Sequence, residues 1–464
     1  MKKTKKLLIA IAGVLVLCLL AAVAYVLIRY HKYTKDFMAL RTESYDTVFF
    51  SMYPISNYDE ADYAYFRGMN VVKSSVEIAD SKILKTYMDI AAGTENVLST
   101  VYLGVDPVLT DTEDIFQISL ENPGIMFEIV LAYPELNYWL SMEESECRKV
   151  WETYREFAGN VLGLENVRVY YFCNEEWLLC NPGNYVDTYN TNKEVSNILM
   201  CHSDYLHNNI LDVNNFHVRF DRAWELIEMH RAAPMEYSDL SELEIIFFGD
   251  SVIGNYADST SVPGVVNGLT GAKVYNCGVG GTNAAFSPNK TCSLTEIVNA
   301  FIGQDLSMIP AETQAYSGIE QYTQEGDKSK QKMFVLNYGL NDFFRGVPIS
   351  LEDPFDRTSY SGAIRTAVCA LKEAYPDADI LLLTPNKTIE YGAGEQIQSE
   401  IGSKLQDYAD AVINLADELD VEVLDNFHEL PINIEKYWEL LEDGTHPNGQ
   451  GRFLIGMRIA DRID

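Results

Sequence analysis

The chain has 464 residues, of which 47% are hydrophobic and 22% are charged, so it is long enough for two domains and can bury a large core. This composition excludes intrinsic disorder for most of the chain. Acidic residues outnumber basic ones 68 to 35, a formal net charge of −33. That charge keeps a protein soluble and argues against nucleic-acid partners, because phosphate backbones bind positive surfaces.

The N-terminus predicts a membrane anchor. Four lysines in the first six residues precede a mostly apolar run from Leu7 to Ile28, which as a helix is long enough to span a bilayer. The lysines favour the cytoplasm, so the rest of the chain is expected outside the cell. A cleaved signal peptide is the alternative, because Ala22-Val23-Ala24 resembles a cleavage site, but the apolar run continues beyond it. Residues 1–30 are therefore predicted to be a cytoplasmic tail and transmembrane helix, and residues 31–45 a stalk.

The cysteines do not indicate a disulfide framework or a metal site. Of the eight cysteines, Cys18 lies in the apolar run, and the other seven include no Cys-x-x-Cys pair. An odd number without such spacing is typical of buried thiols. We expect neither a metal nor an organic cofactor.

The first part of the body alternates strand-like and helical patterns. Helical stretches such as residues 81–93 and 144–163 separate short apolar runs, a pattern that predicts a largely parallel sheet flanked by helices. Residues 46–231 are therefore predicted to form an N-terminal α/β domain, whose function the sequence does not indicate. The predicted strands are residues 46–50, 70–75, 97–106, 125–133 and 167–172.

A polar, turn-rich stretch, residues 232–242, separates this domain from a second alternating series. The series includes predicted helices at 361–375 and 395–419 and ends with an amphipathic helix, so residues 243–464 are predicted to form a three-layer α/β domain. In such sheets ligands bind at the carboxyl ends of the strands. The predicted strands are residues 244–249, 272–277, 332–338, 379–385 and 421–426.

Polar turns that contain glycine follow three strands of the second domain. The first is Gly249-Asp250-Ser251, the second is the stretch NCGVGGTN at 276–283, and the third is Gly339-Leu340-Asn341-Asp342. A fourth turn, Asp443-Gly444-Thr445-His446, stands just ahead of the last predicted helix. These turns are expected to meet at one edge of the sheet.

The four turns hold the groups that acyl transfer requires. A serine hydroxyl needs a base to take its proton, and a histidine base needs a carboxylate to orient it. The tetrahedral intermediate needs hydrogen-bond donors aimed at its oxyanion. Ser251, His446 and Asp443 supply the first three groups. The backbone amides of Ser251 and Gly281 and the side-chain amide of Asn341 supply the donors.

Taken in order, these blocks resemble those of the SGNH, or GDSL-type, hydrolase superfamily, namely GDS, NxGxxG, GxND and DxxHP. The resemblance covers residues 243–464 and implies a flavodoxin-like three-layer α/β/α fold for that domain. It implies a catalytic triad and an oxyanion hole without a metal. The triad residues are Ser251, His446 and Asp443, and the oxyanion-hole residues are Ser251, Gly281 and Asn341.

The match departs from the family pattern in two places. The first block usually continues as GDSxT or GDSxS, whereas this chain has GDSVIGNY. The second block contains two adjacent glycines, and Gly281 is chosen over Gly280 because of its spacing from Asn276.

Five further residues have side chains that could bind a substrate, a metal or a neighbouring turn. Arg345, just after the third block, is a candidate substrate contact, and Asp342 is predicted to be a buried carboxylate that fixes the turn. His202 and His207 are five residues apart, which is not the spacing of a helical metal pair, so they are predicted to be structural or surface residues. His428 follows the last strand and is not paired with a serine block.

The sequence therefore predicts a membrane-anchored, extracellular serine esterase that removes O-acetyl or other short acyl groups from a cell-surface glycan. Its expected partners are an O-acylated surface carbohydrate or cell-wall polymer, and the membrane through the N-terminal helix. Two alternatives stay open. One is an O-acyltransferase that modifies cell-wall polymers with the same triad, and the other is a catalytically inactive binding protein at the cell surface.

Overall fold

The structure is a computed structural model, and it describes residues 38–41, 43, 45–50, 71–74, 81–94, 98–108, 112–201, 208–287, 292–389, 399 and 401–464. The predicted transmembrane helix, Leu7 to Ile28, and much of the predicted stalk lie outside these residues. Among the residues described, none of the helices combines the length and the apolar character needed to cross a membrane.

The chain divides into two compact units. The first comprises the residues up to Asn174 together with Tyr185–Ala232, and the second comprises Glu175–Asn184 together with Ala233–Asp464. The short segment Glu175–Asn184, which is predicted to lie in the first domain, is part of the second unit. Its hydrogen bonds explain this, because Asn181 Nδ2 donates to Ser259 O (2.8 Å) and Trp177 N donates to Gln450 Oε1 (3.1 Å).

The first unit is built on a five-stranded parallel sheet of order β2-β1-β3-β4-β5. Its strands are β1 (Thr47–Phe50), β2 (Val71–Ser74), β3 (Thr100–Val105), β4 (Met126–Leu131) and β5 (Val167–Tyr170). Its helices are Ser81–Ala92, Thr112–Glu121, Leu136–Leu140, Glu144–Val161, Lys193–Cys201 and Phe216–Ala232. The predicted alternation of strands and helices is confirmed.

Burial in the first unit explains why its strands and helices could be predicted from the spacing of apolar residues. Every residue of β3 is buried, as expected for a parallel strand that is covered on both faces. The helix Glu144–Val161 buries the side chains of Trp151, Tyr154 and Phe157. Its apolar residues recur at helical spacing while its other faces stay polar, which is the pattern of a helix packed on one side of a core.

The second unit also contains a five-stranded parallel sheet, here of order β10-β9-β8-β6-β7. Its strands are β6 (Leu243–Gly249), β7 (Lys273–Asn276), β8 (Gln331–Asn337), β9 (Asp379–Leu383) and β10 (Glu422–Leu424). Its helices are Glu176–Leu179, Ser251–Gly254, Val262–Thr270, Leu294–Gly303, Gln314–Glu325, Leu340–Phe344, Tyr360–Ala374, Leu405–Leu419, Asn426–Glu429 and Gly449–Ile463. Counted from β6, this is the strand order of flavodoxin-like folds.

Strand β6 lies between β7 and β8 and is fixed by its apolar side chains. Ile245, Ile246, Phe247 and Phe248 have no exposed surface, and burial of each such side chain contributes about 1.5–3 kcal/mol. The strand ends at Gly249. The residues that follow β6, β7 and β8 therefore lie at one edge of the sheet in neighbouring positions.

One predicted helix begins later than the sequence suggests. The pattern predicts a helix over 395–419, but the helix begins at Leu405, and residues 395–398 and 400 lie outside the described part. Gly402 has a φ of +81°, a left-handed conformation that a helix interior does not contain. Lys404 N donates to Asp407 Oδ2 (2.6 Å), which caps the helix at its observed start.

Candidate active site

Ser251 lies at the first position of a short helix, Ser251–Gly254, immediately after β6. Asp250 caps this helix, because its Oδ1 accepts a hydrogen bond from Val252 N (3.0 Å). At Gly249 a Cβ atom would stand 2.4 Å from the side chain of Ile253. Only glycine therefore lets the chain turn from strand to helix so sharply, and this turn holds Ser251 at the carboxyl edge of the sheet.

The catalytic hairpin, residues 442–446, brings a histidine to this serine. Asp443 Oδ1 accepts a hydrogen bond from His446 N (2.8 Å), and Asp443 Oδ2 lies 2.6 Å from His446 Nδ1. His446 Nε2 lies 2.9 Å from Ser251 Oγ. Because a carboxylate can only accept, Nδ1 carries the proton and Nε2 is free to accept from the serine hydroxyl. The structure thus brings together the three residues predicted as a triad.

The triad is accessible from the surface. The side chains of His446 and Asp443 are 29% and 52% exposed. Burial alone would raise the pKa of Asp443, but the backbone N–H and imidazole of His446, together with the N–H of Thr445, hold the pKa below its usual value. Asp443 is therefore ionised near neutral pH and can stabilise an imidazolium at His446.

The loop after β7 packs against the serine helix. Asn276 Nδ2 donates to Ile253 O (2.9 Å) and to Tyr256 O (3.0 Å). Farther along, a Cβ atom on Gly254 would stand 2.6 Å from the backbone of Gly278. This loop leads to Gly281, which has a φ of +74° and open space where a Cβ atom would stand.

The turn after β8 carries the other predicted oxyanion donor. Gly339 adopts a φ of +135° and leads directly into the helix Leu340–Phe344, on which Asn341 is half-buried. Because β7 and β8 flank β6, Gly281 and Asn341 come from the strands on either side of the serine strand. The arrangement can therefore supply donors from both sides of Ser251.

Two buried carboxylates lie behind these donors. Burial raises the pKa of Asp250 to about 6, against the lowering effects of the Val252 N–H, His446 and the Asn341 side chain. Burial also raises the pKa of Asp342 to about 7, although the N–H groups of Ala285 and Ala284 lower it. The predicted burial of Asp342 is observed, since none of its surface is exposed.

Of the other residues singled out in the sequence, Arg345 and His428 lie in the described part of the chain. Arg345 reaches the loop after β7, where its Nη2 donates to Gly281 O (2.8 Å). His428 pairs with Asp425, with 2.7 Å between Nδ1 and Oδ2. His202 and His207 lie outside the described residues.

Three further polar residues of the site have no role predicted from the sequence. Each lies at or beyond the carboxyl end of β6 or β7, and its side chain makes a hydrogen bond within the site. Such a position is a usable signal, but the sequence does not show which turn the side chain reaches. The residues are Asp250, Asn276 and Asn283.

A serine, a histidine and a carboxylate joined by hydrogen bonds at the edge of a parallel sheet define a serine hydrolase of α/β type. Residues 247–452 match the family model of the GDSL-like lipase/acylhydrolase family. The second unit is accordingly an SGNH/GDSL-type hydrolase domain, and the protein is a serine ester hydrolase. The comparison with curated proteins gave no match.

Several solved structures resemble this part of the chain. A protein from Lactobacillus plantarum has 16% identity and a TM-score of 0.37, with 49% of this chain and 97% of that chain covered. A member of the lipolytic G-D-S-L family from Veillonella parvula has 15% identity and a TM-score of 0.32, with 47% and 97% covered. A carbohydrate acetylesterase family member from Sinorhizobium meliloti has 15% identity and a TM-score of 0.29, with 47% and 96% covered.

Proposed function

We propose that the protein is a membrane-anchored, outward-facing esterase that removes O-acetyl or other short acyl groups from a cell-surface glycan. One observation carries the catalytic part of this proposal. Ser251 Oγ lies 2.9 Å from His446 Nε2, and His446 Nδ1 lies 2.6 Å from Asp443. A nucleophile, its base and the group that orients the base are therefore within hydrogen-bonding distance without rearrangement.

The reaction proceeds through an acyl-enzyme. Ser251 Oγ attacks the ester carbonyl while His446 Nε2 takes the hydroxyl proton, and Asp443 stabilises the imidazolium. The carbonyl oxygen becomes an oxyanion that accepts hydrogen bonds from Gly281 N, Ser251 N and Asn341 Nδ2. His446 then returns the proton to the departing sugar oxygen. Water attacks the acyl-enzyme by the reverse route, which releases the carboxylic acid and regenerates Ser251.

The surroundings of the catalytic hairpin support a carbohydrate as the substrate. Trp438 is 60% exposed and lies in the 3-10 helix Tyr437–Glu439, a few residues before Asp443. Asn448 Nδ2 donates to Trp438 O (3.0 Å), and Leu441 pairs with Pro447 across the hairpin. An exposed aromatic ring a few residues before Asp443 offers a face on which a sugar ring can stack.

The proposed location rests on the N-terminal sequence. The lysines ahead of the apolar run from Leu7 to Ile28 support an anchor whose following residues are outside the cell. A surface polymer that carries acyl groups is then the substrate nearest to the active site. Immunodetection of the C-terminus on intact cells, and its release by protease added outside, test this orientation.

The acceptor of the acyl group decides between hydrolysis and transfer. Full-length protein and Ser251→Ala are incubated with p-nitrophenyl acetate and with an O-acetylated glycan, each with and without an added glycan acceptor. The esterase releases the acyl group without acceptor and only when Ser251 is present. Release that requires the acceptor would support an O-acyltransferase instead. No release from either substrate by folded protein would overturn both.

A matched pair of variants tests the carbohydrate part of the proposal. Trp438→Ala is expected to raise KM for the O-acetylated glycan by about fivefold, the loss of one aromatic contact, and to leave p-nitrophenyl acetate hydrolysis unchanged. Phe355, another exposed aromatic residue of the second unit, provides the control as Phe355→Ala. Equal effects of the two substitutions on the glycan would remove Trp438 from the substrate site.

A further inference from the structure

The helix Leu340–Phe344 carries more than the predicted oxyanion donor. Next to Asn341, Asp342 is fully buried, and its two carboxylate oxygens accept hydrogen bonds from Ala284 N (2.9 Å) and Ala285 N (3.0 Å). Both amides belong to the loop after β7. The turn after β8 therefore holds the loop after β7 at its far end.

Arg345 holds the same loop at its near end. Its Nη2 donates to Gly281 O (2.8 Å), and its Nη1 donates to Asn283 Oδ1. Arg345 is itself fixed to the helix, because its backbone N–H donates to Asn341 O (3.1 Å). One five-residue segment, residues 341–345, thus carries an oxyanion donor and two side chains that bind the loop of the other donor.

The Cα of Gly281 is open on the side where a side chain would stand. Its Cβ position meets no heavy atom within 4 Å, so crowding on that side does not limit the backbone. Glycine with a φ of +74° has the widest choice of neighbouring conformations. The hydrogen bonds from Arg345 to Gly281 O and to Asn283 help to orient Gly281, whose N–H is the predicted oxyanion donor.

We propose that Arg345 and Asp342 are positioning residues that fix the loop carrying Gly281 relative to Asn341, and so set the geometry of the oxyanion hole. This role differs from the substrate contact expected for Arg345 from the sequence. It rests on the proposed serine mechanism, in which both donors bind the oxyanion. A misplacement of about 1 Å at such a site can lower the rate about 100-fold.

The two roles of Arg345 predict different kinetics. An oxyanion forms on every ester, so loss of a positioning residue lowers kcat for p-nitrophenyl acetate and for an O-acetylated glycan alike, with KM nearly unchanged. Loss of a substrate contact raises KM for the glycan and spares the small ester. The ratio of the two effects therefore identifies the role.

The experiment uses full-length protein and three substitutions of arginine. Arg345→Ala is expected to lower kcat for both esters by about tenfold to 100-fold. Millimolar guanidinium is expected to restore part of this activity, and Arg345→Lys to retain more of it than alanine. Arg365→Ala is the control, since Arg365 also makes paired hydrogen bonds, with Glu418, but on the helix Tyr360–Ala374. Its kcat is expected to stay at the wild-type value.

A double substitution separates an effect on the oxyanion hole from a general loss of structure. If Arg345 acts by aligning Gly281 with Asn341, Arg345→Ala costs much less in an Asn341→Ala background than alone. Additive losses, or a change in KM for the glycan only, would overturn the proposal. Ser251→Ala in the same assay distinguishes the outcomes, because serine-independent activity would refute the proposed mechanism itself.

Discussion

The second unit contains two Asp-x-x-His pairs that fold alike. In the pair Asp443–His446, the carboxylate accepts the histidine N–H at 2.8 Å and lies 2.6 Å from Nδ1. In the pair Asp425–His428, the corresponding distances are 3.1 and 2.7 Å. The difference is on the other side of the imidazole, because Nε2 of His446 meets Ser251 at 2.9 Å. Within the described part of the chain, no hydroxyl contacts Nε2 of His428.

The four residues of an Asp-x-x-His motif are enough to orient a histidine, whereas a triad also requires the fold to bring a serine to that histidine. Asp425 follows β10, at one edge of the sheet, and there its carboxylate caps the helix Asn426–Glu429 and accepts a hydrogen bond from Thr384. Asp443 belongs to a hairpin that brings His446 to Ser251, in the helix that follows β6. The position of each pair at the sheet edge, and not its motif, therefore decides which histidine lies next to a serine.

The largest expected effect distinguishes the two histidines. His446→Ala removes the base and is expected to lower kcat by about 10⁴-fold or more, as losses of a triad base do. His428→Ala is expected to leave kcat within about twofold, because surface substitutions outside a site have small effects. Steady-state hydrolysis of p-nitrophenyl acetate by the two variants gives both values. Comparable losses would show that the two pairs do not differ in function.

Substitution of the two aspartates should also affect kcat differently, but by a smaller factor than substitution of the two histidines. Asp443→Asn is expected to lower kcat by about 10²- to 10⁴-fold, because an amide does not hold the imidazole with Nδ1 protonated. Asp425→Asn keeps a side-chain oxygen that can cap the helix Asn426–Glu429, because asparagine and aspartate are similar N-cap residues, so both kcat and the free energy of unfolding are expected to stay close to the wild-type values. Kinetics and urea unfolding of both variants test this. A loss of kcat in Asp425→Asn alone would reverse the assignment.

The last prediction concerns stability and not rate, at the buried carboxylate Asp342. Burial raises its pKa to about 7, above the value near 4 of an unfolded chain. Its stabilising contribution is thus fully present below pH 4 and is lost as the pH rises through 7. The contribution of this one group to the free energy of unfolding should fall by up to roughly 4 kcal/mol over this range. Asp342→Asn should reduce this fall.

Urea unfolding at several pH values checks the prediction for Asp342. Glu320, an exposed carboxylate of the same unit, serves as the control when replaced by glutamine, and its variant should keep the wild-type pH dependence. An unchanged pH dependence in Asp342→Asn would mean that this group does not titrate differently in the folded and unfolded chains.

The two sheets show the same principle on a larger scale. Both have the parallel order 2-1-3-4-5 when strands are counted within each unit, so both present the carboxyl ends of their strands in the same arrangement. In the first unit, β4 is followed by Ala132-Tyr133-Pro134 and β5 by Tyr171-Phe172-Cys173. In the second unit, the corresponding strands β9 and β10 are followed by Thr384-Pro385-Asn386 and Asp425-Asn426-Phe427, and the serine, glycine and asparagine turns follow β6, β7 and β8 at the same edge. Topology provides the edge, and the side chains provide the chemistry.

Much of the fold could be predicted from the sequence. All ten predicted strands are observed, because buried parallel strands are short continuous apolar runs between turn residues. The proximity of Ser251, Asp443 and His446 could be predicted because these residues belong to motifs whose order along the chain is informative. The helix predicted from residue 395 failed at its start, since its apolar spacing continued through Gly402, where the backbone is left-handed.

Contacts between turns that are far apart in the sequence could not be predicted. Nothing near Arg345 indicates that its guanidinium bonds to Gly281, 64 positions away. Nothing in the segment Glu175–Asn184 indicates that Asn181 bonds to Ser259 and belongs to the second unit. Such contacts depend on how loops of unrelated sequence meet, and no local periodicity records them.

The nucleophile can be tested directly with a fluorophosphonate, which reacts with an activated serine. Folded full-length protein is labelled, digested and analysed by mass spectrometry, beside Ser251→Ala, His446→Ala and His428→Ala. We expect one adduct on Ser251 in the wild type and at the same rate in His428→Ala, a much slower reaction in His446→Ala, and none in Ser251→Ala. An adduct on another residue, or an unlabelled Ser251 in protein that hydrolyses p-nitrophenyl acetate, would contradict the account.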